Sequence, residues 1–264
     1  MNCLLCNAPI KWRPPVKDIL SFKRLVPPQL CGTCSQRFTT REAGRGCPYC
    51  QRPGFTTTCP ECEQWQVRAG FILTVRACFG YNEAMKEFMH AYKFVGDYRL
   101  RQAFSAPLTK LVQEQGAQMV VPLPLHQKTQ LLRGFNQVEG LLECPFERLL
   151  VTKDQEKQEP QSAKTREQRL QTPQPFDLTD QKRVRGKTVV LVDDVFTTGR
   201  TMYHAAQLMR AAGCKTICGV TLANQEIVEA ISGSCLLNEV GSLIMKIGYE
   251  KSGPSDIRTS QCLY

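Results

Sequence analysis

Residues 189–201 read VVLVDDVFTTGRT, an apolar run followed by two acids and a turn rich in threonine and glycine. The apolar run predicts a buried strand, and TMYHAAQLMRAAG after Gly199 has the spacing of a helix closed by Gly213. A strand, turn and helix in this order place the turn at the carboxyl edge of a parallel sheet, where ligands bind in α/β folds. The stretch therefore predicts a fold class and the position of a site.

The neighbouring segments repeat the alternation of strands and helices. Strands are predicted for FILTVRACF (71–79), MVVPLPL (119–125) and KTICGVTLA (215–223), and helices for EAMKEFMHAYKF (83–94), residues 100–115 and FNQVEGLLECPFERLL (135–150). Such alternation implies an α/β fold with a parallel sheet, right-handed crossovers and flanking helices.

Cysteine usage separates the start of the chain from the rest. Eight of the fourteen cysteines lie before residue 63, in four CxxC pairs: Cys3/Cys6, Cys31/Cys34, Cys47/Cys50 and Cys59/Cys62. Zn²⁺ binds four thiolates as a tetrahedron, and one CxxC turn supplies two of them, so the pairs predict one or two structural zinc sites. The spacing allows sequential grouping of the pairs or an interlaced arrangement.

These patterns divide the chain into a small Cys-rich zinc-binding domain (1–66), an α/β domain (67–225) and a poorly ordered tail (226–264). Residues 152–187 are polar and poor in aliphatic side chains, which predicts a mobile loop within the α/β domain, with one helical turn at 164–170. So small a Cys-rich segment buries too little surface to fold without metal. We therefore expect zinc removal to unfold residues 1–65 and to leave the α/β domain largely intact.

Net charge and hydropathy limit the classes of partner and the cellular compartment that fit this sequence. The formal net charge of +10 favours anionic partners. No run approaches the 18 apolar residues that a membrane span needs, and MNCLLCNAPI lacks the features of a signal peptide. A cytoplasmic protein without a transmembrane segment is predicted.

The acids and the turn predict one ligand with two different ends. Backbone N–H groups at the helix start, with the hydroxyls of Thr197, Thr198 and Thr201, can hold a phosphate. Asp193 and Asp194 would repel that phosphate, but carboxylates accept hydrogen bonds from vicinal hydroxyls. The ligand that satisfies both is a ribose carrying a 5′-phosphate.

The same stretch closely resembles the motif with which type I phosphoribosyltransferases bind phosphoribosyl pyrophosphate (PRPP). The resemblance implies that Asp193 and Asp194 bind the ribose 2′ and 3′ hydroxyls and that Mg²⁺ bridges these hydroxyls and the pyrophosphate. It assigns the 5′-phosphate to a turn comprising Val195, Phe196, Thr197, Thr198, Gly199, Arg200 and Thr201.

Residues 1 to about 225 also resemble the ComF family, through the Cys-rich head, the DD-TTG turn and VVPLPLHQKTQLLRGFNQ (120–137). The family combines a zinc region with a phosphoribosyltransferase domain and is implicated in internalising single-stranded transforming DNA. The resemblance implies a helicase partner of the ComFA type at the inner membrane face.

The resemblance to the ComF family also assigns further site residues. Arg133, from RGFNQ, would act at the reacting centre, and backbone donors near Pro122 and Leu123 would bind pyrophosphate. In AYKFVGDYRLR (91–101), Lys93 and Arg99 are candidate anion contacts, and the mobile loop carries a KT-x-x-Q segment. Those loop residues are Lys164, Thr165 and Gln168.

Three hypotheses about function follow. The first is a DNA-uptake protein that binds single-stranded DNA and a phosphoribosyl ligand, with bases stacked on aromatic residues such as Phe135, Tyr92 or Phe94. The second is an active phosphoribosyltransferase whose acceptor the sequence does not reveal. The third is a scaffold that docks a helicase and retains only a vestigial PRPP site.

Overall fold

A computed structural model describes residues 1–14, 16, 20, 27–42, 44–153 and 174–225. All of them belong to one compact unit, Met1–Ile227. The predicted tail, 226–264, lies outside the described residues, as do the predicted helical turn at 164–170 and the KT-x-x-Q residues.

The fold is built on a parallel sheet of four strands in the order β1-β6-β5-β2. A two-stranded antiparallel ribbon, β3 with β4, lies in the segment between β2 and β5. The strands are β1 Thr74–Tyr81, β2 Met119–Pro122, β3 Leu150–Thr152, β4 Phe176–Leu178, β5 Thr188–Phe196 and β6 Thr216–Gln225. The predicted parallel α/β fold is confirmed.

The described helical segments include two that are not α-helical, both between residues 91 and 103. These are a π turn over Ala91–Val95 and a 3₁₀ helix over Tyr98–Ala103. The α-helices are α1 Gly32–Ser35, α2 Pro60–Ala69, α3 Glu83–His90, α4 Ser105–Glu114, α5 Gln127–Arg133, α6 Gln137–Gly140, α7 Gln181–Val184 and α8 Arg200–Ala211. Among these described elements, none has the length and apolar character needed to cross a bilayer.

The core forms two layers, one on each face of the sheet. Leu191 of β5 packs in the layer that contains α8, and Val192 packs in the layer that contains α3 and α4. Because successive side chains of a strand point to opposite faces, Asp193 and Asp194 leave the end of β5 on opposite sides of the sheet. The two acids therefore have different surroundings.

Residues 135–150 differ from the predicted long helix. Only Gln137–Gly140 is helical, and the chain reaches β3 through irregular structure. A residue preceding a proline is disfavoured in the helical region and the proline itself lacks an N–H, so Pro145 opposes a helix through Cys144. Sequence periodicity wrongly extended the short helix across this proline.

The predicted mobile loop at 152–187 differs from the structure at both ends. Thr152 ends β3, and residues 174–187 contain β4 and α7. Asp180 begins α7 by accepting hydrogen bonds from the N–H groups of Lys182 and Arg183. These elements are short and mostly polar, so their composition resembles that of a loop.

The boundary predicted at residue 66 does not separate two compact bodies. Cysteines of the last two CxxC pairs, Cys47, Cys50, Cys59 and Cys62, pack in the same buried layer as Leu191 and Met202, and Trp65 packs against that layer. This part of the Cys-rich head therefore belongs to the main core.

Candidate functional site

The eight CxxC cysteines form two clusters, and their grouping is sequential. One cluster is Cys3, Cys6, Cys31 and Cys34; the other is Cys47, Cys50, Cys59 and Cys62. Within each cluster all sulfur atoms lie within 4.8 Å of one another. The interlaced arrangement, which the spacing left open, does not occur.

The sulfur positions fit zinc. A tetrahedron with Zn–S bonds of about 2.3 Å places its sulfurs about 3.8 Å apart. The Sγ–Sγ distances are 3.7 Å for Cys6–Cys31, 3.8 Å for Cys47–Cys62 and 3.5 Å for Cys50–Cys59. Hydrogen bonding with the Cys62 thiol lowers the pKa of Cys50 to about 5, which favours a thiolate there.

The clusters differ in their exposure to solvent. All four cysteines of the second cluster are buried, whereas Cys6 of the first cluster is exposed and Cys31 is partly exposed. The second cluster also starts α2, because Cys59 is the N-cap and Pro60 occupies the first turn. The second cluster is thus an internal structural element, and the first cluster is more accessible.

Asp194 is buried and held by two donors. The Lys93 ammonium lies 2.7 Å from Asp194 Oδ2, and Gln137 Nε2 donates to the same oxygen at 2.7 Å. The Asp194 residue is only 6% exposed. A buried carboxylate requires such partners, since an unpaired one costs several kcal/mol.

The RGFNQ motif supplies one of these donors and organises its surroundings. Asn136 begins α6 by accepting from the Val138 N–H at 2.8 Å, and its amide donates to the Leu123 carbonyl at 3.2 Å. Gln137 accepts a hydrogen bond from Arg133 while donating to Asp194. The motif therefore connects the end of β2 to the end of β5.

Fewer hydrogen-bond donors stabilise the Asp193 carboxylate than the Asp194 carboxylate. Its side chain is only partly exposed, and its Oδ1 accepts the Asp194 N–H at 2.8 Å. Burial, followed by repulsion from the Asp194 carboxylate, raises the pKa of Asp193 above its ordinary value of 3.8. A ligand that donates hydrogen bonds or brings a cation would relieve this cost.

The turn after β5 is short and closely packed. Val195 and Phe196 still pair with β6, and α8 begins at Arg200, so the turn itself is Thr197 to Gly199. The prediction of a turn from 195 to 201 was therefore too long, because the strand ladder continues through Phe196. The side chains of Thr197, Thr198 and Thr201 are exposed, and Arg200 is partly exposed.

Gly199 is the N-cap of α8 and has a φ of 79°. A Cβ there would lie 2.7 Å from Phe196 Cζ and 3.2 Å from Tyr203 Cδ2. Both the backbone angle and the packing therefore require glycine, and the turn has little freedom to shift.

The substitution Gly199→Ala should destabilise the protein more than Gly213→Ala does. Both glycines have φ near +80°, but the nearest atom to a Cβ at Gly213 is 3.7 Å away. The shared backbone strain costs about 1 kcal/mol, and the clash at Gly199 should add about 1–3 kcal/mol. Denaturant unfolding measures the difference, and equal losses in the two variants would contradict the packing argument.

The structure places the other predicted site residues as follows. The Leu123 N–H donates to the Val192 carbonyl at 2.9 Å, and proline has no N–H, so neither Pro122 nor Leu123 offers a spare backbone donor. Arg99 pairs with Asp97 at 2.8 Å on the surface. Lys93 and Arg133 both belong to the network around Asp194.

The aromatic residues near this network divide into buried and exposed sets. Tyr92 is buried, and Phe135 packs between Tyr92 and Tyr98 at centroid distances of 5.2 and 4.9 Å. Phe94 is 67% exposed, and the Arg133 guanidinium lies 5.7 Å from its ring centroid. Of the three predicted stacking residues, Phe94 is exposed, Phe135 is partly exposed and Tyr92 is buried.

Sequence reasoning singled out the RGFNQ motif but gave no role to its Asn136 and Gln137, and it missed Trp65. Asn136 precedes a short helix and has the type of an N-cap, which was an available signal. Trp65 donates from Nε1 to the Thr198 carbonyl at 2.8 Å, a contact between residues 133 positions apart. No local pattern indicates such a pairing.

Comparison with known proteins identifies a domain family and several relatives of this chain. The phosphoribosyl transferase domain family matches residues 129–232. The "Competence protein ComFC" of Streptococcus pneumoniae is 33% identical over 222 residues, which cover 82% of this chain and 97% of that protein. The chain belongs to the ComF family.

Two further relatives extend the similarity. The "Competence protein ComFC" of Bacillus subtilis is 31% identical over 222 residues, covering 80% of this chain and 89% of that protein. The "DNA utilization protein YhgH" of Shigella flexneri is 29% identical over 206 residues, covering 71% of this chain and 87% of that protein. The ComF resemblance found in the sequence is confirmed.

Proposed function

We propose that this chain is a competence protein that acts in DNA uptake and binds single-stranded DNA, with PRPP and Mg²⁺ at the end of β5. One observation carries the proposal: in a chain of the ComF family, two acids and a glycine-capped turn meet at the carboxyl edge of the parallel sheet. The names of the relatives support the DNA role, and the matched domain supports the phosphoribosyl ligand.

The residues at the end of β5 suit the two ends of a phosphoribosyl group. Asp193 is partly exposed and can accept hydrogen bonds from ribose hydroxyls, which would lower the cost of its charge. The turn from Thr197 to Gly199 offers exposed hydroxyls at the N-terminus of α8, which favours a phosphate. Mg²⁺, when bound, would supply charge neutralisation between the acids and the pyrophosphate.

In this proposal Lys93 can bind either of two anions, the Asp194 carboxylate or the pyrophosphate. It now pairs with Asp194 Oδ2, and Gln137 donates to the same oxygen. Because Gln137 keeps that oxygen hydrogen-bonded, Lys93 can turn toward an incoming pyrophosphate without leaving Asp194 unpartnered. Arg133 keeps Gln137 oriented through its hydrogen bond to Oε1.

The surface beside Lys93 suits single-stranded DNA. Phe94 and Tyr98 are 67% and 45% exposed, and each has a guanidinium near its ring, from Arg133 and Arg101. Exposed rings accept bases by stacking, and neighbouring cations bind the phosphates. This pattern predicts tight binding with little sequence preference.

Binding of a labelled single-stranded oligonucleotide, measured by anisotropy over a range of salt concentrations, tests the proposal. The affinity should fall steeply with salt, since each neutralised phosphate contributes a logarithmic slope of about −0.7. The substitution Phe94→Leu should weaken binding by roughly 1–3 kcal/mol, whereas Phe94→Tyr should retain it. Repeating the titration with PRPP and Mg²⁺ should change the affinity if both ligands act together.

A flat salt response would contradict the electrostatic part of the proposal. Equal affinities for Phe94→Leu and the wild type would show that Phe94 does not stack on the bases.

A helicase partner of the ComFA type and a cytoplasmic location at the inner membrane face also belong to the proposal, and they rest on the family resemblance. Transfer of the ribosyl phosphate to any acceptor would instead favour an active phosphoribosyltransferase.

A further inference from the structure

Trp65 connects the second cysteine cluster to the turn after β5. It lies three residues after Cys62 on α2, and Cys59 is the N-cap of that helix. Its Nε1–H donates to the Thr198 carbonyl at 2.8 Å. The donor therefore lies on the helix that carries two cysteines of the second cluster, Cys62 about one turn earlier and Cys59 at the N-cap.

The ring of Trp65 is also held by Tyr203. The two rings stack at 4.1 Å with an interplanar angle of 6°. Tyr203 is only 1% exposed, and its hydroxyl accepts the Leu73 N–H at 2.9 Å. Tyr203 packs against the turn, since its Cδ2 would lie 3.2 Å from a Cβ at Gly199. Trp65 contacts the same turn through the Thr198 carbonyl.

The hydrogen bond from Trp65 has a geometric consequence for the turn. The structure holds no cis peptide among its described residues, and a trans peptide unit is planar with its C=O and N–H pointing in opposite directions. With the Thr198 carbonyl directed at Trp65, the Gly199 N–H points away from Trp65. This N–H belongs to the group that would bind a phosphate at the start of α8.

We propose that Trp65 is a positioning residue that fixes the Thr198–Gly199 peptide, so that the phosphate-binding conformation of the turn depends on an intact second cysteine cluster. The part that concerns ligand affinity rests on the proposed function. The part that concerns the conformation of the turn does not, because it rests on the contacts of Trp65 with Thr198 and Tyr203.

The substitution Trp65→Phe tests this role by removing the N–H donor while keeping an aromatic ring against Tyr203. Loss of one hydrogen bond corresponds to roughly fivefold, so amide hydrogen exchange across residues 195–203 should accelerate by about that factor. The affinity for PRPP with Mg²⁺ should fall by a similar factor, with zinc content unchanged. Val67→Ala on the same helix is the control, since Val67 is 86% exposed and should change neither quantity.

A second variant reports on the same contact by fluorescence. The chain has two tryptophans, so Trp12→Phe leaves Trp65 as the only one. Its emission should change on addition of PRPP with Mg²⁺, because the ligand would bind on the opposite side of the Thr198–Gly199 peptide.

The outcomes separate the inference from the proposed function. Exchange in Trp65→Phe that equals the wild type would overturn the positioning role, even if the wild type binds PRPP. Faster exchange in Trp65→Phe, together with no PRPP binding by the wild type, would support the positioning role and remove the PRPP site from the proposed function.

Discussion

Cys62→Ser is expected to destabilise the whole compact unit, including the four-stranded sheet. The second cluster is buried in the same layer as Leu191 and Met202, so loss of a metal ion bound there would disturb the packing under β5. Structural zinc contributes roughly 10–16 kcal/mol in small zinc-finger peptides, which is comparable with the total stability of about 5–15 kcal/mol of a folded domain. The expectation from sequence, that zinc loss would unfold residues 1–65 alone, therefore changes.

Cys6→Ser is the matched control for this experiment. Cys6 belongs to the first cluster and is exposed, so its loss should leave the sheet folded. Circular dichroism and denaturant unfolding, with zinc content measured in parallel, compare the two variants. An unchanged unfolding midpoint for the sheet in zinc-depleted Cys62→Ser would contradict the structural role of the second cluster.

Asp193→Asn and Asp194→Asn should change stability in opposite directions while both abolish PRPP binding. Asp193 destabilises the folded state at pH 7, because burial and the Asp194 carboxylate raise its pKa above the value that it has in the unfolded chain. Its neutral replacement should stabilise the ligand-free protein at pH 7. Asp194→Asn instead leaves Lys93, which is only 18% exposed, without its anion, and should cost roughly 3 kcal/mol.

The pH dependence of stability follows from the sign of the Asp193 shift. The pKa is higher in the folded state than in the unfolded state, so the folded state binds the proton more tightly. Stability from this group is fully present below about pH 4 and is lost as the pH rises through the folded pKa. Asp193→Asn should remove that decline.

Unfolding curves between pH 4 and pH 9, with calorimetric titration of PRPP and Mg²⁺, measure both effects. Asp177→Asn is the control, since Asp177 is an exposed carboxylate paired with Lys153 and makes the same chemical change elsewhere. Equal stability of Asp193→Asn and the wild type at pH 7 would contradict the prediction that Asp193 destabilises the folded state. Unimpaired PRPP binding by either acid variant would exclude the acids from the site.

The sequence predicted those features whose functional groups lie close together along the chain. The DD-TTG motif and the CxxC pairs each concentrate their donors within a few residues, and the structure has both the parallel sheet and two four-cysteine clusters. Position 199, within the same motif, requires glycine because its φ is 79° and a Cβ there would meet Phe196.

The missed features depend on contacts between distant segments. Gln137 reaches Asp194 across 57 positions, and its role comes from the folding of α6 against β5. The burial of the second cluster depends on such contacts too, since it shares a core layer with strand residues more than a hundred positions later. The helix predicted over 135–150 reflected apolar spacing that serves irregular packing instead.

The burial of the second cluster also has a kinetic consequence. With all four of its sulfurs shielded, a metal ion held there can leave only when the compact unit opens. Cys47 to Cys62 precede β5 in the chain, so a metal ion could bind this cluster before the strand that encloses it has folded. Exchange of that ion in the folded protein should therefore be slow.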